Sequence, residues 1–204
     1  MNFLNYFYNK NLKLDLINKF SYTDLKTLPK IKKITLNFGC KSTELKILTV
    51  NLLALELVTR QKGILTISKH PNLFLKIRKG QPTGCKLSLQ KQLMLDFLAK
   101  KLNEVFPRIK NFNGLKLTRK IEKTDFSYSV KDILTFSELG EYYYLFNNLP
   151  SLDISIITNV KTHKELLFLL KSLQLPEKII ACITQLVECN LAKVKVEGSN
   201  PSTC

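Results

Sequence analysis

Cys85 and His70 are the residues best suited to covalent chemistry, a thiol and an imidazole flanking one short segment. A working thiolate needs a base within hydrogen-bond reach and a third group to orient that base. No third group can be identified from the spacing. Cys85 lies in the alternating run GCKLSLQ, where a cysteine serves as a small core hydrophobe. The other cysteines are Cys40, Cys182, Cys189 and Cys204, none in a CxxC spacing, and the one further histidine is His163. Ligand clustering of the kind zinc requires is missing, and an odd cysteine count argues against a disulfide framework. The sequence holds neither a glycine-rich phosphate cradle nor HExxH. The expectation is therefore no catalytic group, no metal and no cofactor.

The stronger signal is charge. Thr66–Gln90 carries Lys69, His70, Lys76, Arg78 and Lys79 between two strand-like ends and contains no acid. Pro71, Gly80, Pro82 and Gly84 exclude a continuous helix there. A loop of this length in a compact domain is usually functional or disordered, and basic charge under Pro and Gly constraint favours one presented to an anion. The chain holds 32 lysines and arginines against 16 acids, giving +16, with a pI near 9.7. Arg60–Lys123 alone has 16 basic and 3 acidic side chains, a net of +13. Charge so concentrated fits a polyanionic partner, and nucleic acid before a solvated surface. No apolar run approaches the roughly 20 residues that span a bilayer, so no membrane is expected.

The elements that position these groups alternate in type. Residues 3–20 read as a helix. In 30–39, KIKKITLNFG, Ile34, Leu36 and Phe38 alternate with Lys33, Thr35 and Asn37. Residues 43–59 are apolar nearly all round, the pattern of a buried helix. Ile64–Ile67 is a strand. In 84–90, Cys85, Leu87 and Leu89 alternate with Lys86, Ser88 and Gln90. Lys91–Phe106 is an amphipathic helix with Lys100 and Lys101 placed outside its apolar face, and Pro107 stops it. Strands are expected around 115–121 and, beside it, at 126–130. Lys131–Leu149 reads as a loop, with Tyr142, Tyr143 and Tyr144 packed or on the surface. SLDISIIT at 151–158 is a strand rich in β-branched residues. Thr162 and Glu165 have capping-box spacing and open a helix to Leu173, with His163 structural within the cap. A last helix is expected from 176–177 to about Val194, followed by a disordered tail. The whole reads as an α+β domain over 1–176, a mixed or antiparallel sheet with helices on one face and an open polar face, plus an extension over 177–204.

Four segments carry a resemblance: KITLNFG (33–39), RQKGILT (60–66), FLKIRKGQPTGCKLSL (74–89) and PRIKNFNGL (107–115), in that order. Together they resemble the L5 family of large-subunit ribosomal proteins. LDISIIT at 152–158, followed by a capped helix and Leu175–Pro176, looks like that family's C-terminal end. The resemblance implies a sheet docked on 5S rRNA in the central protuberance, with family positions matching Asn37, Gln61 and Ser88 against that RNA. On the same surface it places Lys33, Thr35, Lys62, Thr66, Lys86 and Gln90. The loop matching 68–82, with Lys69, His70, Lys76, Arg78, Lys79 and Gln81, would face the peptidyl-site tRNA. The arm matching 109–123, extended to its root at Arg108, would reach a protein of the small-subunit head. Its expected contacts are Arg108, Lys110, Asn111, Lys116, Arg119 and Lys120. Large-subunit rRNA and neighbouring large-subunit proteins complete the implied partners.

This sequence departs from the family pattern in places. Lys41 stands where a glycine is usual, the loop opens on Ile67, Lys69, His70 and Pro71, and Phe136–Ser137–Glu138 lacks the family's proline. A chain rich in Lys, Asn, Ile, Phe and Tyr fits an AT-rich organellar genome, so the expected site is a mitochondrial ribosome. A plastid or bacterial cytoplasm is the alternative location. The alternative function is a basic RNA-binding domain acting outside the ribosome.

Overall fold

The computed structural model describes residues 3–22, 24–40, 44–110, 112, 114–117 and 125–179. Helix α1 (Phe3–Phe7) passes through one wide turn at Tyr8–Leu12 into α2 (Lys13–Lys19), burying Leu4, Leu12 and Leu16. Strand β1 (Ile31–Gly39) buries Ile34, Leu36 and Phe38, as its alternation requires. Then follow α3 (Leu45–Thr59), β2 (Ile64–Ile67), β3 (Pro82–Leu89), α4 (Lys91–Lys100), a wide turn at Lys101–Val105 and α5 (Phe106–Arg108). The chain continues through β4 (Leu115–Leu117), β5 (Asp125–Val130), α6 (Ser137–Gly140), α7 (Tyr143–Phe146), β6 (Leu152–Thr158), α8 (His163–Ser172) and β7 (Glu177–Ile179).

Five strands form one antiparallel sheet in the order β2-β3-β1-β6-β5. One face is sealed. Leu36, Phe38, Cys85, Leu87, Leu89, Phe126, Ile154 and Ile156 pack there against Leu48, Leu55, Phe97, Leu98, Leu166 and Leu169 of the helices. The other face carries no helix among the described residues and is polar. The α+β architecture is the expected one.

The helical layer is fastened where three elements converge. Lys100 Nζ pairs with the Glu138 carboxylate of α6 and lies 3.5 Å from the Val58 carbonyl at the end of α3. Thr162 Oγ1 accepts the Glu165 N–H at 3.4 Å, so the predicted cap forms. Glu165 reaches back to the Lys161 N–H at 3.2 Å, one residue earlier than the reciprocal bond of a capping box.

Several expectations are corrected. Helix α3 is not buried all round: Leu48, Ala54, Leu55 and Val58 face the core, whereas Leu45, Ile47 and Leu53 are exposed. Its buried stripe covers the sheet's end near β2 and β3, Val50, Leu52 and Leu57 pack at the margin of the core, and Leu45, Ile47 and Leu53 fall on the side turned away from it. Residues 131–149 are not a plain loop but hold α6 and α7, which bury Leu139 and Phe146. The aromatic run at 142–144 is exposed. Strand β5 does not pair with β4. It joins the main sheet beside β6, and β4 pairs in parallel with β7. The expected helix from 176–177 begins as that strand: Glu177–Ile179 runs beside Leu115–Leu117, with the Leu115 N–H on the Pro176 carbonyl at 2.7 Å. The remainder of that expected helix lies outside the described residues, as does strand 118–121.

Lys101 is the sharpest correction. The sequence reading puts it on the polar side of its helix, and it is fully buried, 0% exposed. By spacing it follows Phe97 by four and Leu98 by three, on the apolar stripe. Charge argued against a position that periodicity favoured.

Candidate nucleic-acid interface

Strand register decides which polar groups stand together on the uncovered sheet face. Ser127, Ser155, Thr35 and Ser88 form one row across β5, β6, β1 and β3. Ser129, Asp153, Asn37, Lys86 and Ile64 form the next row, across all five strands. Adjacent strands lie about 4.8 Å apart, so the second row spans about 19 Å.

The two halves of this face differ in state. On the β5–β6 half the groups engage one another. Ser127 Oγ donates to Ser155 Oγ at 2.9 Å, Ser129 donates to the Asp153 carboxylate, and Thr35 Oγ1 donates to the Ser155 carbonyl at 3.5 Å. On the β1–β3–β2 half, the side chains of Lys33, Asn37, Lys86 and Ser88 have no intramolecular partner among the described residues. Cationic and hydrogen-bonding groups are therefore free where the acids are absent. Lys86, Ser88 and Gln90 are exposed, and Lys33, Thr35 and Asn37 are half-buried.

Gln61, Lys62, Thr66, Lys86 and Ser88 line one open cleft of about 560 Å³. Five of the residues expected to bind RNA thus converge from a helix-to-strand turn and two strands. The turn is set by Arg60, which caps α3 in the left-handed conformation at φ +56°. Its N–H bonds the Glu56 carbonyl at 2.7 Å, and the chain is redirected so that Gln61 and Lys62 flank β2. Gly84 lets the strands close: a Cβ there would stand 2.5 Å from the Phe38 carbonyl oxygen and 2.9 Å from Thr66 Oγ1.

The basic loop between β2 and β3 is a built structure. Ser68 N–H bonds the Gln81 carbonyl at 2.8 Å and Gly80 N–H bonds the Ser68 carbonyl at 2.9 Å, closing its base. Asn72 and Ile77 bridge each other by paired backbone bonds of 2.9 Å, and Ile77 is buried. Lys76 (φ +52°) and Gly80 (φ +87°) make the reversals. Lys69, His70, Lys76, Arg78 and Lys79 are exposed around this frame. Gln81 has an internal job: its Oε1 accepts the Arg78 N–H at 2.8 Å. The tip, missed in reading the sequence, is apolar, with Leu73 91% and Phe74 99% exposed. The available signal was two large apolar residues in a segment whose Pro and Gly content leaves no strand or helix to cover them.

Of the arm residues, Arg108 and Lys110 are exposed. Lys116 lies in β4, opposite Lys178. Asn111, Arg119 and Lys120 lie outside the described residues.

The thiol–imidazole pair does not assemble. Cys85 is sealed beneath α3 with its Sγ 3.5 Å from the Leu48 carbonyl, while His70 is exposed in the loop. Burial, with neighbouring Cys40 adding to it, pushes the Cys85 thiol up to about 11, away from thiolate chemistry. Cys40 is likewise raised by burial, and its sulfur accepts the Asn51 amide at 2.8 Å. No group of three or more His, Cys, Asp or Glu side chains suited to a metal occurs among the described residues. No helix among them is long and apolar enough to cross a membrane.

Fold and surface together define a basic α+β protein that leaves one face of its sheet uncovered, with free cations and hydrogen-bonding groups on it. The chain belongs to the L5 family of large-subunit ribosomal proteins. Residues 82–176 match the model of that ribosomal family's C-terminus. The chain is 38% identical over 178 residues to the large ribosomal subunit protein uL5m of Reclinomonas americana, covering 86% of this chain and 98% of that protein. It is 34% identical over 171 residues to uL5 of Malacoplasma penetrans, covering 83% and 90%. With uL5 of Wigglesworthia glossinidia brevipalpis the identity is 37% over 172 residues, covering 83% and 96%. Its role is accordingly that of a structural, non-enzymatic constituent of the large ribosomal subunit.

Proposed function

We propose that the chain docks on 5S rRNA through the β2–β3–β1 half of the open sheet face. Lys62, Lys86 and Lys33 neutralise phosphate, and Asn37, Gln61, Thr66 and Ser88 fix register by hydrogen bonds. The observation that carries this reading is the contrast across the sheet: Lys33, Asn37, Lys86 and Ser88 on this half have no internal partner among the described residues, whereas Ser127, Ser129, Asp153 and Ser155 on the β5–β6 half engage one another and Thr35 of β1 is held by β6. The loop over 68–81 would reach the peptidyl-site tRNA, and the distal arm a protein of the small-subunit head. These two contacts rest on the family resemblance and on the exposed cations of the loop and the arm's root. A mitochondrial ribosome is the proposed location, supported by the composition and by the likeness to a protein called uL5m.

The test is a titration of the full chain with 5S rRNA. Binding should weaken steeply between about 50 and 200 mM salt. The double variant Asn37→Leu, Ser88→Leu should release the RNA while its circular dichroism stays that of the parent. Unchanged affinity in that variant, or binding indifferent to salt, would sink the sheet-face assignment. Sedimentation with the large subunit separates this role from one outside the ribosome.

A further inference from the structure

Strand β2 is an edge of the main sheet, paired with β3 on one side and with no strand on the other among the described residues. An edge presents a row of free N–H and C=O groups, and proteins blunt it with a charge, a proline or a covering element. The opposite edge is managed in this way: β5 opens on Asp125 and buries Phe126 and Val130. Strand β2, ILTI, has neither charge nor proline, and its shortness is its one protection. Its apolar side chains are open to solvent: Ile64 is 72%, Leu65 44% and Ile67 65% exposed.

The surroundings are apolar along one flank and cationic at both ends. The turn at Arg60 sends β2 back alongside α3. Leu52 of α3 lies close to Gly63, 3.2 Å from where a Cβ would stand, and Leu45, about two turns earlier along the helix, is exposed. Arg60 and Lys62 before the strand and Lys69 after it are exposed, and none has an ion pair among the described residues. The sequence holds no acid from Arg60 to Leu95.

Nucleic acid answers only part of this surface. Its phosphates would meet the cations, but it offers no ladder of amides to the strand and leaves Leu65 and Ile67 wet. A second copy of this chain would offer a ladder, but at +16 each the two would repel. An extended polypeptide answers every feature. Its backbone pairs with β2, its alternate apolar side chains cover Leu65 on one face and Ile64 on the other, and acids at its ends meet Arg60, Lys62 and Lys69.

We propose that β2 is a strand-addition site, which takes an extended segment of another large-subunit protein with alternating apolar residues between acidic ends. The proposal goes beyond 5S rRNA docking and does not depend on it, since the edge of the sheet and its uncovered face are different surfaces.

The experiment follows amide hydrogen exchange in the free full chain, in its complex with 5S rRNA, and in native large subunits that contain it. The outward amides of β2 should exchange fast in the first two. In the subunit they should slow by about tenfold or more, through new backbone hydrogen bonds. Zero-length carbodiimide coupling in the same subunits should join Lys62 or Lys69 to a carboxylate of another protein. Fast exchange in all three preparations overturns the proposal. Slow exchange in the free chain also overturns it, marking cover by residues 180–204 or, where it depends on concentration, by a second copy. Slowing by 5S rRNA alone, or slowing in the subunit without coupling to a protein carboxylate, assigns the edge to RNA and overturns it too. The 5S rRNA titration is read separately, so each of these outcomes leaves the sheet-face reading standing.

Discussion

Lys101 donates a hydrogen bond to the Tyr128 hydroxyl inside a cage of aromatic rings that no carboxylate enters among the described residues. Its Nζ lies 3.9 Å from the centroid of Tyr128, 5.1 Å from Phe106 and 5.9 Å from Phe97. Burial holds its ammonium well below the ordinary lysine value of 10.5 and pushes the Tyr128 hydroxyl above 10.0. Cation–π attraction of about 2 kcal/mol offsets only part of the cost of a buried charge.

This pair makes stability depend on pH in both directions. Between the lowered Lys101 value and 10.5, the unfolded chain binds the proton that the folded chain has lost, so stability rises with pH. Above 10.0 the unfolded tyrosine ionises and the folded one does not, so stability falls. Urea unfolding of the parent and Lys101→Met from pH 6 to 9.5 checks the first limb. The parent's stability should climb relative to the variant, by at most about 1.4 kcal/mol per pH unit. Parallel profiles would show that Lys101 is not the titrating group.

Gly84 stands where β3 approaches both neighbours. Gly84→Ala puts a methyl group against backbone, which cannot rotate away. The expected cost is about 2 kcal/mol, or a fall in melting temperature of about 4–8 °C. RNA binding should weaken with it, because Lys86 and Ser88 lie on the displaced strand. The comparison of interest is Gly39→Ala, where nothing lies within 4 Å of the added carbon and the fall should be smaller.

The loop separates stability from binding. Phe74→Ala and Leu73→Ser touch almost nothing in the free protein, so unfolding should shift by less than about 0.5 kcal/mol. Gly80→Ala forces a side chain into φ +87° at the loop's closed base and should cost about 1 kcal/mol. Denaturant midpoints of the three variants check the ranking.

Thr162→Ala removes the oxygen that accepts the Glu165 N–H. Loss of this cap should cost about 1 kcal/mol, a shift of about 2–4 °C in melting temperature. Thr162→Ser should restore most of it.

Much of this was legible in the residues. Period-two alternation fixes a strand's two faces without reference to its neighbours, so the buried set Ile34, Leu36, Phe38 and the free set Lys86, Ser88, Gln90 could be read directly. The cap at Thr162 is equally local, since its partner is three residues away. The class of partner follows from net charge, which is additive along the chain and needs no fold.

Tertiary structure alone decided the rest, because the deciding contacts lie between residues distant in sequence. Register put Ser127, Ser155, Thr35 and Ser88 in one row, and hydrogen bonds from β5 and β1 to β6 divided that row into engaged groups and the free Ser88. Arg108, Lys131 and Asn147 share a cleft through the packing of three connecting segments that no spacing rule relates. Lys101 lies between these cases. Its period placed it on the buried stripe and its charge argued for solvent. The arrival of Phe106 and Tyr128 around it decided for burial, since rings supply a face to an ammonium that the helix by itself cannot.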